Sequence, residues 1–221
     1  RSLADVKKVL VVGEIYVRRD TFSVHELSEH LIGQGIFPKL SGVSEWLHYT
    51  DWARAQELDA TRQREGWLTM LRPGPLAERL GLSVEMWWKR RVEREIREAL
   101  APTGLIPDAH DDLAAAMAFG TRTFIPASMQ SEATVSPAVA GAAMQDGYSG
   151  VAIIAPFGCL PGRVIEGVYA PWARARGYPV LALENDGQPY PPNVIARLAV
   201  FAQHVARHER TPAAAPVDAG C

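Results

Sequence analysis

The run KKVLVVGEI at residues 7–15 is short, β-branched, flanked by polar residues and interrupted by Gly13. It fits a strand buried on both faces better than a helix. Runs of the same kind return at IFPKL (36–40), GVAIIAPF (150–157) and YPVLALEND (178–186). Between and after them stand amphipathic helical patterns of roughly 12 to 18 residues. That alternation predicts an α/β fold: a doubly wound, mostly parallel sheet with right-handed crossovers and helices on both faces.

The connecting segments refine this picture. TFSVHELSEHLIGQG places Ser23 as N-cap with Glu26 three positions on, the spacing of a capping box, then apolar Leu27 and Leu31, with Gly33 or Gly35 as the stop. SGVSEWLHYTDW (41–52) reads as a loop entering an aromatic-rich stretch. Residues 51–100 lose strand-like alternation: Trp52, Trp67, Trp87 and Trp88 sit among Arg and Glu, with a break at RPGP (72–75). An all-helical insertion is expected there. Within it MWWKRRVEREIREAL aligns Trp88, Val92, Ile96 and Leu100 at steps of four, an apolar stripe suited to packing on another helix or a partner subunit. Helices are expected again at DDLAAAMAFG (111–120) and 135–146, separated by the irregular TRTFIPASMQSEATVS. The last two follow the third and fourth strands, at 162–176 and from PPN at 191–193 onward, where a proline at the helix start does no harm. The expected organisation is one α/β domain over 1–210, with the insertion and its flanking irregular chain reaching about 130, and a disordered tail at 211–221.

Composition narrows the function classes. A chain of 221 residues with 48% hydrophobic content can bury a sizeable core without staples. A net charge of -2 and a pI near 6.3 supply no basic field for nucleic acid or an anionic membrane. No apolar run reaches the roughly 20 residues that span a bilayer. The start RSLADVKKVLVVG reads as a strand rather than a signal peptide. The first residue is Arg rather than Met, which suggests a trimmed piece. Two cysteines, Cys159 and Cys221, form no disulfide framework, and a reducing, cytoplasmic setting is expected.

Chemistry in such a sheet belongs beyond the carboxyl ends of the strands. There the chain carries GEIYVRRD after the first strand, SEW after the second, FGCLPGR after the third and ENDGQPYPPN after the fourth. Cys159, in a Gly/Pro loop just before a helix, stands where free N–H groups and the helix dipole favour thiolate. Space-filling in a core is the competing role for a lone cysteine. Neither GxGxxG nor GxxxxGK[ST] is present. Ser23, Ser44 and Ser131 lack a GxSxG elbow. His204 and His208 lie one helical turn apart at a charged helix end, where solvent exposure suits them better than zinc.

Taken in order, VLVVGEIYVRRDTF, GVSEWLHYTDW, GVAIIAPFGCLPGRVIEG and VLALENDGQPYPPNVIARLAVFAQ resemble the C-terminal portion of the 2-hydroxyacyl-CoA dehydratase superfamily. The nearest branch is that of the CoA-substrate-specific enzyme activases and their double-cubane-cluster relatives. The resemblance spans most of residues 6–205. It implies a Rossmann-like domain that pairs with a second domain or subunit around an iron-sulfur cluster of the 4Fe-4S type, fed with electrons by an ATP-dependent activator. The PFGC cysteine is a cluster ligand in that family, which carries over to Cys159. Glu14, Tyr16, Arg18, Glu184 and Gln188 are offered as residues lining the same crevice. A fully protein-ligated cubane commonly takes four thiolates, so the other ligands are expected from a domain or chain not contained here, or the cluster has been lost. Three readings follow: a cluster-associated electron-transfer domain of a dehydratase or reductase system; a non-catalytic scaffold that binds a partner subunit, with oligomers possible; and a small-molecule enzyme with Cys159 as nucleophile and Glu14 or Glu184 as acid or base.

Overall fold

The structure is a computed structural model, and it describes residues 6–68, 72–103 and 113–208. It is α/β, with four strands and seven α-helices among the described residues. Strands β1 (Lys7–Gly13), β2 (Ile36–Leu40), β3 (Gly150–Pro156) and β4 (Val180–Asn185) form one sheet in the order β2-β1-β3-β4, and every pairing is parallel. Helix α1 (Thr21–Gly33) joins β1 to β2. Helices α2 (Val43–Glu65), α3 (Pro73–Leu100), α4 (Leu113–Thr123) and α5 (Glu132–Gln145) precede β3. Helix α6 (Leu160–Arg174) joins β3 to β4, and α7 (Pro192–Arg207) closes the order.

Alternate residues of each strand serve opposite faces, as a period of two requires. Val9, Val11, Ala152, Ile154, Leu181 and Leu183 pack with Leu27 and Leu31 of α1 and Leu198 and Phe201 of α7. Leu10, Val12, Val151, Ile153 and Ala182 pack with Ala140 of α5 and Ile165 and Tyr169 of α6. The strands therefore read as continuous apolar runs because both faces are covered. Each fully buried leucine contributes roughly 1.5–3 kcal/mol.

The described residues divide into two compact units, one formed by the chain up to Val43 and from Ala114 onward, the other by Ser44–Leu113. The second unit carries α2 and α3, followed by a 3-10 turn at Ala101–Thr103. Ion pairs join Lys89 to Asp51 at 2.8 Å, His48 to Glu93 at 2.6 Å and Arg79 to Asp59 at 3.1 Å; Arg54 also pairs with Glu78. From His48 through Asp51 to Arg54 the partners fall from Glu93 through Lys89 to Glu78, so the two helices run antiparallel. Burial works against the Glu93 carboxylate, but the bonds from His48 and Arg97 outweigh it and hold its pKa below the ordinary value.

Several sequence-based boundaries move. The N-cap of α1 is Asp20, whose carboxylate accepts from the Ser23 N–H at 2.9 Å and the Ser23 hydroxyl at 2.6 Å; Ser23 is inside the first turn, so the capping-box reading fails. Glu26 instead accepts the Tyr190 N–H at 2.5 Å. The expected loop before the aromatic stretch is helical from Val43. Helix α5 starts at Glu132, ahead of the expected 135, because Ser131 caps it by accepting from Ala133 N–H. Three of the four stripe residues on α3 are exposed, and Val92 is partly buried. Trp88, Ile96 and Leu100 are 59%, 54% and 43% exposed, and no residue of this 28-residue helix is buried. His208 is half-buried rather than solvent-exposed, its ring set edge-on to Tyr178 at 5.3 Å. The expected tail at 211–221, Cys221 included, lies outside the described residues.

The two outer strands differ at their edges. Ser41 N–H donates to the Val11 carbonyl, so in β2 the groups of residues 37 and 39 also face β1 and those of Pro38 face outward. The missing N–H of proline thus falls on the side of β2 away from β1, where it costs no ladder bond among the described residues. In β4 the Pro179 and Asn185 carbonyls accept from Val151 and Phe157 of the β3 segment, which turns the backbone groups of Val180, Ala182 and Glu184 outward.

Candidate functional site

The carboxyl end of β3 makes a tight turn into α6. Gly158 takes φ +71°, a left-handed conformation that favours glycine, and Cys159 is the N-cap of α6. The Cys159 N–H donates to the Pro156 carbonyl at 3.1 Å and its own carbonyl accepts from Arg163 N–H at 3.0 Å. Its thiol is free and the residue is partly exposed. Gly162 sits under the thiol: a Cβ there would lie 2.4 Å from the Ala155 Cβ and 3.8 Å from Cys159 Sγ. The bare glycine lets α6 rest directly on β3.

Glu184, near the end of β4, ties this turn to its neighbour. Its Oε1 accepts the Gly158 N–H at 3.2 Å, and its Oε2 pairs with Arg163 Nη2 at 2.6 Å. Arg163 Nη1 reaches Glu166 Oε2 at 3.0 Å. These groups border a cleft of about 260 Å³ that takes in Cys159, Gly162, Arg163 and Glu166 from the α6 side and Tyr190, Val194 and Arg197 from the α7 side. Ala182, Leu183 and Glu184 of β4 form its floor. No histidine is among the residues lining it.

The loop after β4 is fixed rather than open. Asn185 Nδ2 and the Tyr190 hydroxyl both donate to the Ser23 carbonyl, at 3.3 and 3.4 Å. Burial, with the nearby Glu26 carboxylate adding to it, pushes the Tyr190 phenol up to about 12.

Of the residues expected to share one crevice, Cys159 and Glu184 come together, and the rest do not line this cleft. Glu14 spends its carboxylate on its own turn, Oε1 accepting from Tyr16 N–H at 3.0 Å and Oε2 from Val17 N–H at 2.8 Å. Tyr16 is 74% exposed and Arg18 completely buried. Gln188 is exposed, its N–H held by Asp186 Oδ1 at 3.0 Å. At the carboxyl ends of β1 and β3, where strand order reverses and a ligand crevice is expected, Ile15 N–H donates to Glu132 Oε1 at 2.9 Å and Glu14 N–H continues the β1–β3 ladder to the Ile154 carbonyl at 3.0 Å. The cleft lies one strand further out, at β4.

Sequence reasoning missed Arg163, Glu166, Tyr190 and Arg197. Arg163 and Glu166 carried a signal, being three residues apart on the helix that starts at Cys159. Arg197 carried less: it is a charge in the otherwise apolar NVIARLAVFA run.

A cubane cluster is not matched by these residues alone. Cys159 is the single cysteine of the cleft, and among the described residues no group of three or more His, Cys, Asp or Glu is placed to hold a metal ion. No described helix is long and apolar enough to cross a membrane. Comparison with protein-family models, with curated proteins and with solved structures finds no match to this chain.

Proposed function

We propose that this chain is a Rossmann-like domain with an all-helical insertion that presents one thiolate, Cys159, to a site completed by another domain or subunit. On the resemblance of its PFGC and LENDGQ loops, that site is a 4Fe-4S cluster in an electron-transfer system of the 2-hydroxyacyl-CoA dehydratase type, served by an ATP-dependent activator. The observation that carries the reading is the setting of Cys159: a free, partly exposed thiol at the N-cap of α6, beside a cleft and held by the Glu184–Gly158 contact. Glu184 and Arg163 position the loop. The missing ligands come from outside the described residues, and a cluster, when bound, would supply the low-potential electron.

The test is iron and acid-labile sulfide content, with electron paramagnetic resonance after reduction, on the full-length protein purified without oxygen together with its co-purifying partners. About four irons per cluster are expected, with loss of most of the signal in Cys159→Ser. A wild-type protein without iron, or a Cys159→Ser variant with unchanged iron, overturns the reading.

One observation favours the scaffold reading as a second: α3 buries no residue and exposes Trp87 and Trp88, each 59% accessible, the kind of surface that partner subunits cover. The nucleophile reading has less support, because no histidine lines the cleft to act as base. A Cys159 that alkylates no faster than a free thiol at neutral pH removes it.

A further inference from the structure

Helix α3 carries an apolar face turned away from α2. Lys89 and Glu93 point to α2 through their ion pairs with Asp51 and His48, and Leu82 and Met86 on that same side are partly buried. At ~100° per residue, Ala77, Gly81, Val84 and Trp88 fall on one line about 140° around the helix from that side. All four are exposed, Val84 by 64% and Trp88 by 59%. Leu76, Leu80 and Trp87 border the line and are exposed too.

Gly81 is the informative member. It sits inside a continuous helix, where glycine destabilises relative to alanine. A Cβ there meets nothing within 4 Å, so packing among the described residues does not call for a glycine. The order of sizes along the line does. Ala77, Gly81, Val84 and Trp88 are spaced four, three and four apart, which reads the same in both directions, and they run small, small, large, large. Laid antiparallel on itself about a twofold between Leu82 and Ser83, the line sets Trp88 over Ala77 and Val84 over Gly81, large against small at every crossing. A parallel copy would set Gly81 on Gly81 and Trp88 on Trp88. A partner of other sequence would have to supply the reverse of this size order, whereas a second copy has it by symmetry. The charges beside the line are paired within the chain, Glu85 with Lys89, Arg91 with Glu95 and Glu78 with Arg54, so closing the seam strands no ion. Leu76, Leu80, Val84, Trp87 and Trp88 offer on the order of 500 Å². A twofold pair thus covers about 1,000 Å², the level a specific interface needs.

We propose that α3 is a self-association face: two copies of this chain pair antiparallel through Ala77, Gly81, Val84 and Trp88, and their two helical hairpins join as four helices. Sedimentation equilibrium of the full chain over micromolar concentrations is expected to show reversible conversion of the 24.2 kDa monomer to a dimer of twice that mass. Gly81→Val overfills the crossing and weakens the dimer roughly tenfold or more, with the helix retained by far-ultraviolet circular dichroism. Gly81→Val combined with Val84→Gly puts large opposite small again and restores dimerisation to within about threefold of the unsubstituted chain. A chain that stays monomeric throughout assigns the face to a different partner and overturns the proposal. A dimer untouched by Gly81→Val, or a double variant as weak as the single one, also overturns it. Iron content is read separately, so failure of the pairing leaves the Cys159 reading standing and the reverse also holds.

Discussion

Gly162 shows how one absent side chain sets the approach of a helix to a strand. An alanine there would place its Cβ 2.4 Å from the Ala155 Cβ, and overpacking of this kind costs roughly 1–3 kcal/mol. Denaturant melts of Gly162→Ala should register that loss, and the outward shift of α6 should slow any reaction that depends on the Cys159 turn. Gly33, at the end of α1, is the contrast: a Cβ there meets nothing within 4 Å and the backbone is helical. Gly33→Ala should stabilise by roughly 0.4–1 kcal/mol through the unfolded state. Equal effects of the two substitutions would contradict the packing argument. Cys159 itself was legible, because a thiol between an apolar run and a helix start has few places to go in an α/β fold. Glu14, Tyr16 and Arg18 do not line the cleft at β4: residues that follow a strand share a sheet edge, but hydrogen bonds within the turn, such as those from Tyr16 and Val17 N–H to the Glu14 carboxylate, help decide which way each side chain points, and sequence does not display them.

At the scale of elements, the four strands and the helices on their two faces were legible because period-two and period-3.6 patterns rarely coincide. Boundaries were less so. Asp20 displaced Ser23 as cap because its carboxylate takes both the Ser23 N–H and its hydroxyl, and Glu26 served a contact 164 residues away. The α2–α3 pair was legible as helical, yet the ion pairs that join the two helices were not, since their partners lie 20 to 45 positions apart. Asp51 carries the weight there: its side chain is 7% exposed and its partner Lys89 27%. Lys89→Met removes the partner of a nearly buried carboxylate and is expected to destabilise by about 1–3 kcal/mol. The double variant Lys89→Met with Asp51→Leu should recover most of that loss, as a double-mutant cycle in urea would measure. If the double variant were the less stable of the two, the pair would not be the source of the effect.

For the whole molecule, two sets of buried groups bound the pH range of stability. Burial, with Lys7 nearby, lowers the His208 pKa below its ordinary 6.5. The folded state thus prefers the neutral ring; its contribution is complete above pH 6.5 and declines as pH falls through that value toward the folded pKa. At the alkaline end burial raises the phenols of Tyr169, Tyr178 and Tyr190 above their ordinary 10.0. Their contribution is complete below pH 10 and is lost as pH climbs through the folded values. Tm measured from pH 5 to pH 11 should be highest between about 6.5 and 10, and His208→Gln should flatten the acid side. An acid limb unchanged by that substitution would assign the loss to other groups.

The two edges of the sheet bear on whether strands can stack through it. At the β2 edge Pro38 offers no N–H to a newcomer, while at β4 Val180, Ala182 and Glu184 turn their backbone outward and the Ala182 carbonyl already accepts from Arg197. An edge interrupted by proline on one side and by a bonded carbonyl on the other is a poor template for the open-ended stacking by which exposed edges grow into fibres.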